Sequence, residues 1–244
     1  MPETALICLS LAAISLLYGS VGQGGASGYI AVMALCGFLP ETIKPTALVL
    51  NIFVSTLVAV RFWVAGQVSW RRLWPFVVAS VPAAFAGGYL TLPFRSFNLI
   101  LGTLLLIAGL PMIGRRGPHG ITATRAPHPL LAMSASGTIG LLSGLTGMGG
   151  GVLLSPLLLY CRWCHVREAS GFASSFILLN SLVALMGYWT TGSTLPADWS
   201  LLALSAVFGG AIGAELGCRY LSEAVICRLL GVVLVIAGAR LIAF

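Results

Sequence analysis

Six stretches of this chain, 43–65, 75–92, 96–114, 169–187, 200–217 and 224–243, are nearly uninterrupted apolar runs bounded by proline, glycine or charge. A helix rises about 1.5 Å per residue, so about 20 apolar residues cross the hydrocarbon of a bilayer. Each run is long enough to span once its ends and some tilt are included. Only 8% of the 244 residues are charged, where a soluble domain carries about 25%. That is too little polar surface to cover such a core in water, so lipid is the solvent. Within lipid every backbone polar group needs an internal partner. The expected fold is therefore an all-α polytopic membrane protein. The net charge of +7 comes from basic residues scattered through short loops, which form no patch or stripe and give no nucleic-acid signal. The N-terminus lacks a basic leader region and reads as a retained membrane segment.

Two further apolar regions are interrupted. Residues 4–18 run into Gly19-Ser20-Val21-Gly22-Gln23-Gly24-Gly25 before 26–38 resumes, and 130–143 run into 144–151 before 152–160 resumes. Glycine costs a helix about 1 kcal/mol per residue against alanine, so broken helices are predicted at both places. The two breaks correspond: Gly19, Gly22, Gly24 and Gly25 match Gly144, Gly147, Gly149 and Gly150 at a constant offset of 125. Asn51 matches Asn180, and 100–113 match 229–242, both at an offset of 129. The small-residue runs 83–88 and 209–214 correspond as well. Matches in the same order point to a duplication, with repeats at 1–114 and 130–244 and a polar linker at 115–129.

Loop charge distinguishes parallel from inverted repeats. If each broken region crossed as one span, the 13 basic residues would divide seven against six. If each is instead a re-entrant hairpin, each repeat has three full crossings and the second repeat is inverted. One side then holds Arg61, Arg71, Arg72, Arg115, Arg116, Arg125, Arg162, Arg167, Arg219 and Arg228, and the other only Lys44, Arg95 and Arg240. Only the inverted arrangement follows the positive-inside rule. It puts both termini outside and the linker in the cytoplasm, with the hairpins entering from opposite faces.

Half-helices starting at the breaks would aim their N-terminal N–H groups inward, where they favour anions. The sequence-level candidate is a central site for a small anion, lined by Gly22, Gln23, Gly24, Gly25, Gly147, Met148, Gly149 and Gly150. Asn51 and Asn180 would stand at mid-depth, with Ser174 and Ser175 nearby. Lys44 and Arg167 are candidates for attracting anions to the two mouths. The plainer alternative is that the glycines allow close helix packing and each Asn bonds across helices. No Asp, Glu or His falls at mid-depth, where a proton relay would stand. Glu215 falls near a span end, within reach of Arg219. No catalytic constellation, metal cluster or cofactor site is expected, and Cys161-Arg162-Trp163-Cys164-His165, though shaped like a haem attachment sequence, is placed on the wrong side for one. The expected partners are a small anionic substrate and the bilayer, and a homodimer is compatible with the layout.

The segments GSVGQGGASGYIAVMALCGFLPETIKPTALVLN and GLTGMGGGVLLSPLLLYCRWCHVREASGFASSFILLN resemble the paired motifs of the TauE/SafE sulfite exporter family. The likeness lies in a Gly-rich break, a short helix, a basic loop and an Asn-bearing span, repeated in order. The resemblance implies a bacterial inner-membrane transporter, typically an exporter, of sulfite, sulfonates or related anions. Gln23 and Ala26 stand where the second motif has Met148 and Gly151, so the half-sites are expected to be unequal. A carrier of another small organic anion, an intramembrane enzyme and an assembly subunit are the competing readings.

Overall fold

The computed structural model describes residues 2–90, 128–189, 195–196 and 198–243, together with positions 99, 102, 103, 105, 106, 109, 110, 112 and 113. The linker up to 127, with Arg95, Arg115, Arg116 and Arg125, lies outside the described residues. All regular structure among the described residues is helical. We number the helices α1 (Pro2–Ser20), α2 (Ala26–Leu35), α3 (Pro40–Val64), α4 (Trp70–Tyr89), α5 (Pro129–Thr146), α6 (Gly151–Tyr160), α7 (Val166–Trp189), α8 (Trp199–Glu215, continued by a π turn at Leu216–Tyr220) and α9 (Glu223–Ala243). The described positions of 99–113 are also helical.

Four segments, Glu41–Val64, Pro129–Thr146, Val166–Trp189 and Trp199–Tyr220, are long and apolar enough to cross a membrane. The breaks fall where the glycines predict them, but the two arms at each break differ in length. With 19 and 18 residues, α1 and α5 reach nearly 30 Å at about 1.5 Å per residue. The 10-residue α2 and α6 reach only about 15 Å on the same rise. Each interrupted region thus has one long arm and one arm of about half that length.

Packing follows the small residues, as expected where helices attract one another by close contact and not by escape from water. In α1 and α8, Ala12 meets Gly209, Leu16 meets Gly213 and Ser20 meets Gly217. Residue numbers rise together, so the pair is parallel. α4 and α5 pair likewise through Ser80–Gly140 and Ala84–Gly144. In these seams a side chain on the glycine would strike the neighbouring backbone.

Two other pairs run antiparallel. Between α3 and α7, Lys44 meets Tyr188, Asn51 meets Ser181 and Trp63 meets Ser175, one number rising as the other falls. The 99–113 segment meets α9 through Gly102–Gly238 and Gly109–Gly231. The central window of α7 is 72% buried, the most enclosed of the four crossing segments.

Candidate functional site

The two breaks converge on one side chain of α3. A methyl group on Gly24 would overlap Asn51 Oδ1, and one on Gly149 would lie 2.5 Å from Asn51 Nδ2. Asn51 is fully buried and donates from Nδ2 to Ser181 Oγ at 3.1 Å. Ile177 of α7 stands beside Asn51, close enough to meet a side chain placed on Gly24, Gly149 or Gly151. The starts of α2 and α6 are therefore brought to the same place. At both starts the glycine preceding the helix, Gly25 (φ 98°) and Gly150 (φ 77°), is left-handed, a conformation that costs a side-chain-bearing residue about 1–2 kcal/mol.

Gln23 ties the first break to the second. It is fully buried, and its Nε2 donates to Ser155 Oγ at 2.7 Å and to Gly151 O at 3.3 Å, both in the first turns of α6. Tyr29 donates to Gly24 O at 2.6 Å, holding the first break closed from its own helix. Tyr18 and Ser27 bond at 2.9 Å beside it.

Several polar atoms of this core are enclosed and unmatched. Gln23 Oε1, Asn51 Oδ1 and both amide atoms of Asn180 are buried without a hydrogen-bond partner, and Asn180 is itself fully buried. An unmatched buried polar group costs about 1–3 kcal/mol, so native proteins keep few of them unless something else occupies the site. Gln23 Oε1 and Asn51 Oδ1 lie where the two helix starts meet.

The remaining predicted residues are distributed around this core. Gly22 lies against the backbone of Ser170, one turn along α7 from Arg167, and a methyl group on Gly147 would lie 3.1 Å from Lys44 Cγ. Lys44 thus lies close to the second break and Arg167 one turn from the contact of the first, Lys44 with its ammonium 4.8 Å above the Tyr188 ring. Met148 is half-buried beside Ser143, Thr146 and Val152. Ser174 and Ser175 donate to Gly171 O at 2.9 and 3.0 Å, and Ser175 also accepts from Trp63 Nε1 at 3.0 Å on the α3–α7 seam. These two serines are committed to their own helix and to Trp63. In the loop after α6, Cys161 is exposed and Cys164 buried, and burial together with Glu168 pushes the Cys164 thiol up to about 12.

Ile177, Ser181, Ser155 and Tyr29 escaped the sequence reading, and Arg240 entered it only as a loop charge. Arg240 donates to Ser27 O and Ile30 O, both at 2.9 Å, and so sets a positive charge against the first turns of α2. For Ser181 a signal existed, since it adjoins Asn180; for Ile177 there was none among so many apolar residues.

A lipid-embedded helical bundle, interrupted twice so that two half-helices start in one enclosed polar core, has the build of a membrane transporter. Residues 6–241 match the model of the family described as sulfite exporter TauE/SafE. The probable membrane transporter protein y4hK of Sinorhizobium fredii is 40% identical over 247 residues, covering 98% of this chain and 99% of that one. The probable membrane transporter protein YunE of Bacillus subtilis is 24% identical over 270 residues, covering 95% and 96%. The chain belongs to the TauE/SafE family of membrane transporters, and it is not an enzyme. No solved structure matches it.

Proposed function

We propose that this transporter carries small sulfur-containing anions such as sulfite or organosulfonates, most simply outward, through a central site between its two breaks. The observation that carries the proposal is the convergence of two helix starts on the enclosed, unmatched amide oxygens of Gln23 and Asn51. The buried and unmatched amide of Asn180, on α7 beside Ser181, is assigned to the same site. Helix starts favour negative charge, the Arg240 guanidinium stands against the first turns of α2, and glycine lets an oxoanion approach bare N–H groups. The sulfur specificity is supported by the family alone. An anion leaving a cell that is negative inside gains about 2.3 kcal/mol per charge per 100 mV, so export needs no coupled ion.

The same reading includes two inverted repeats, 1–114 and 130–244, each with a re-entrant hairpin. Its support is the antiparallel pairing of the equivalent spans α3 and α7, and of 99–113 with α9. Spans related by a parallel repeat would have kept the same direction. The half-length α2 and α6 agree with hairpins that return to the side they came from. With the arginine-rich side inward, both termini lie outside the bacterial inner membrane.

The test is flux from proteoliposomes of sulfite, sulfoacetate, taurine, sulfate and acetate, with and without an imposed potential. Selective flux of sulfite or a sulfonate, lost in the Asn51→Ala, Asn180→Ala double variant, is expected. Selective flux that survives the double variant removes the amides from the site. A folded protein that moves no sulfur anion refutes the substrate class.

A further inference from the structure

On the arginine-rich end of the bundle, the last turn of α8 widens into the π turn Leu216–Tyr220. Gly217 of that turn packs on Ser20, while Gly22 packs on Ser170 of α7. The turn therefore lies directly beside the tip of the first break, and π turns inside α-helices concentrate at functional places.

Four charged side chains gather there. Glu215 pairs with Arg61 at 3.3 Å and with Arg219 at 3.2 Å. Arg167 donates Nη2 to Leu221 O at 3.0 Å and keeps an enclosed Nε without a partner. Cys218, bonded to Arg61 O at 3.8 Å, is within electrostatic reach of all four charges. Two guanidinium groups pair with the one carboxylate, and the third, Arg167, shares the neighbourhood of Cys218 with them, a local excess of two positive charges. The carboxylate is only loosely held, because the Arg61 and Arg219 side chains are 51% and 65% exposed and solvent screens such pairs. Arginine presents the same planar fork to a carboxylate and to other oxoanions.

We propose that Arg61, Arg167 and Arg219 form a second anion site at this mouth, occupied by Glu215 as a tethered stand-in until the transported oxoanion displaces it. The site rests on the anion-carrier reading and adds a step to it. The anion arrives at the arginines, releases Glu215, and passes the tip of the first break toward the amide core. The opposite mouth is built differently, with Lys44 over the Tyr188 ring beneath Gly147.

The experiment compares the sulfite KM measured separately from each face in oriented proteoliposomes. Glu215→Gln is expected to lower the KM on the arginine-rich face about 5-fold, the worth of an exposed ion pair, and to leave the opposite face unchanged. Arg219→Gln is expected to raise the KM on that same face, giving an arm independent of how well Glu215→Gln folds. A Glu215→Gln variant whose KM rises, or shifts equally on both faces, overturns the site while leaving the carrier intact. Wild-type protein that moves no sulfite refutes the carrier, and the mouth is then read in detergent by thermal unfolding against sulfite concentration. There, greater sulfite-dependent stabilisation of Glu215→Gln than of wild type supports the site, and equal stabilisation overturns it.

Discussion

At the first break Gln23 crosses to the start of α6 and Tyr29 folds back onto Gly24. At the second, the equivalent positions hold Met148 and Leu154, and no comparable side chain crosses back to α2 among the described residues. The backbones nonetheless agree: Gly22 and Gly147, like Gly25 and Gly150, are left-handed at matching places. Backbone geometry is thus what the two breaks share, each setting a left-handed glycine before a 10-residue helix. The side chains are where the two breaks differ, with the first polar and cross-braced and the second apolar. The asparagines diverge in the same way, as Asn51 bonds Ser181 while Asn180 bonds nothing in the protein.

The largest effect expected tests whether the halves are inverted at all. Cys36 and Cys161 follow α2 and α6 at the same offset of 125, and both are exposed. A membrane-impermeant maleimide should label Cys36 only from outside and Cys161 only from inside. Labelling of both from one face would break the comparison outright. Burial raises the Cys161 thiol above its ordinary value, so its thiolate fraction at neutral pH is small. Its labelling should quicken about tenfold per pH unit below that pKa, because the thiolate is the nucleophile. Cys164, buried with its thiol pushed up to about 12, should stay unlabelled.

Next in size is a methyl group at the equivalent tips. Gly22→Ala drives a side chain into the backbone of Ser170, whereas Gly147→Ala meets only the flexible Lys44 Cγ at 3.1 Å. Both pay the left-handed cost of about 1–2 kcal/mol. Only Gly22→Ala should exceed about 4 kcal/mol, the range of severe core damage. Thermal unfolding in detergent reads the difference, and equal losses would mean the tips are packed alike.

A smaller effect separates the two amides. Asn180→Leu removes groups that have no protein partner, so ligand-free stability should hold or rise while flux falls at least about tenfold, near 1.4 kcal/mol. Unchanged flux would make Asn180 a passive core residue. The smallest effect belongs to a side-chain exchange. Gln23→Met should cost about 1–2 kcal/mol through its lost bonds to Ser155 and Gly151, and Met148→Gln less, since Met148 is only half-buried.

The two breaks were legible because clustered glycine is a rare signal in an apolar chain, and the helices stop and restart there. Glu215 was placed beside Arg219 from its spacing, and it pairs with Arg61 as well. What the sequence could not reveal was which side chains fill the space between the breaks. Ile177 is one branched residue among many, and its role follows from the crossing of α3 and α7. Ser174 and Ser175 looked suited to a polar site, yet a serine in a helix can satisfy itself on the preceding turn, and both do.

The parallel seams of α1 with α8 and of α4 with α5 have a thermal consequence. Glycine and alanine have no rotamers to freeze, whereas long side chains lose up to about 2 kcal/mol each in conformational entropy on packing. At Gly209, Gly213, Gly140 and Gly144 backbone lies directly on backbone, so these joints close with little disorder to surrender. On heating, that penalty grows most slowly where there was least freedom to lose. The seams should therefore keep their amide protons against exchange after the amide core has loosened, and be the last parts of the bundle to separate.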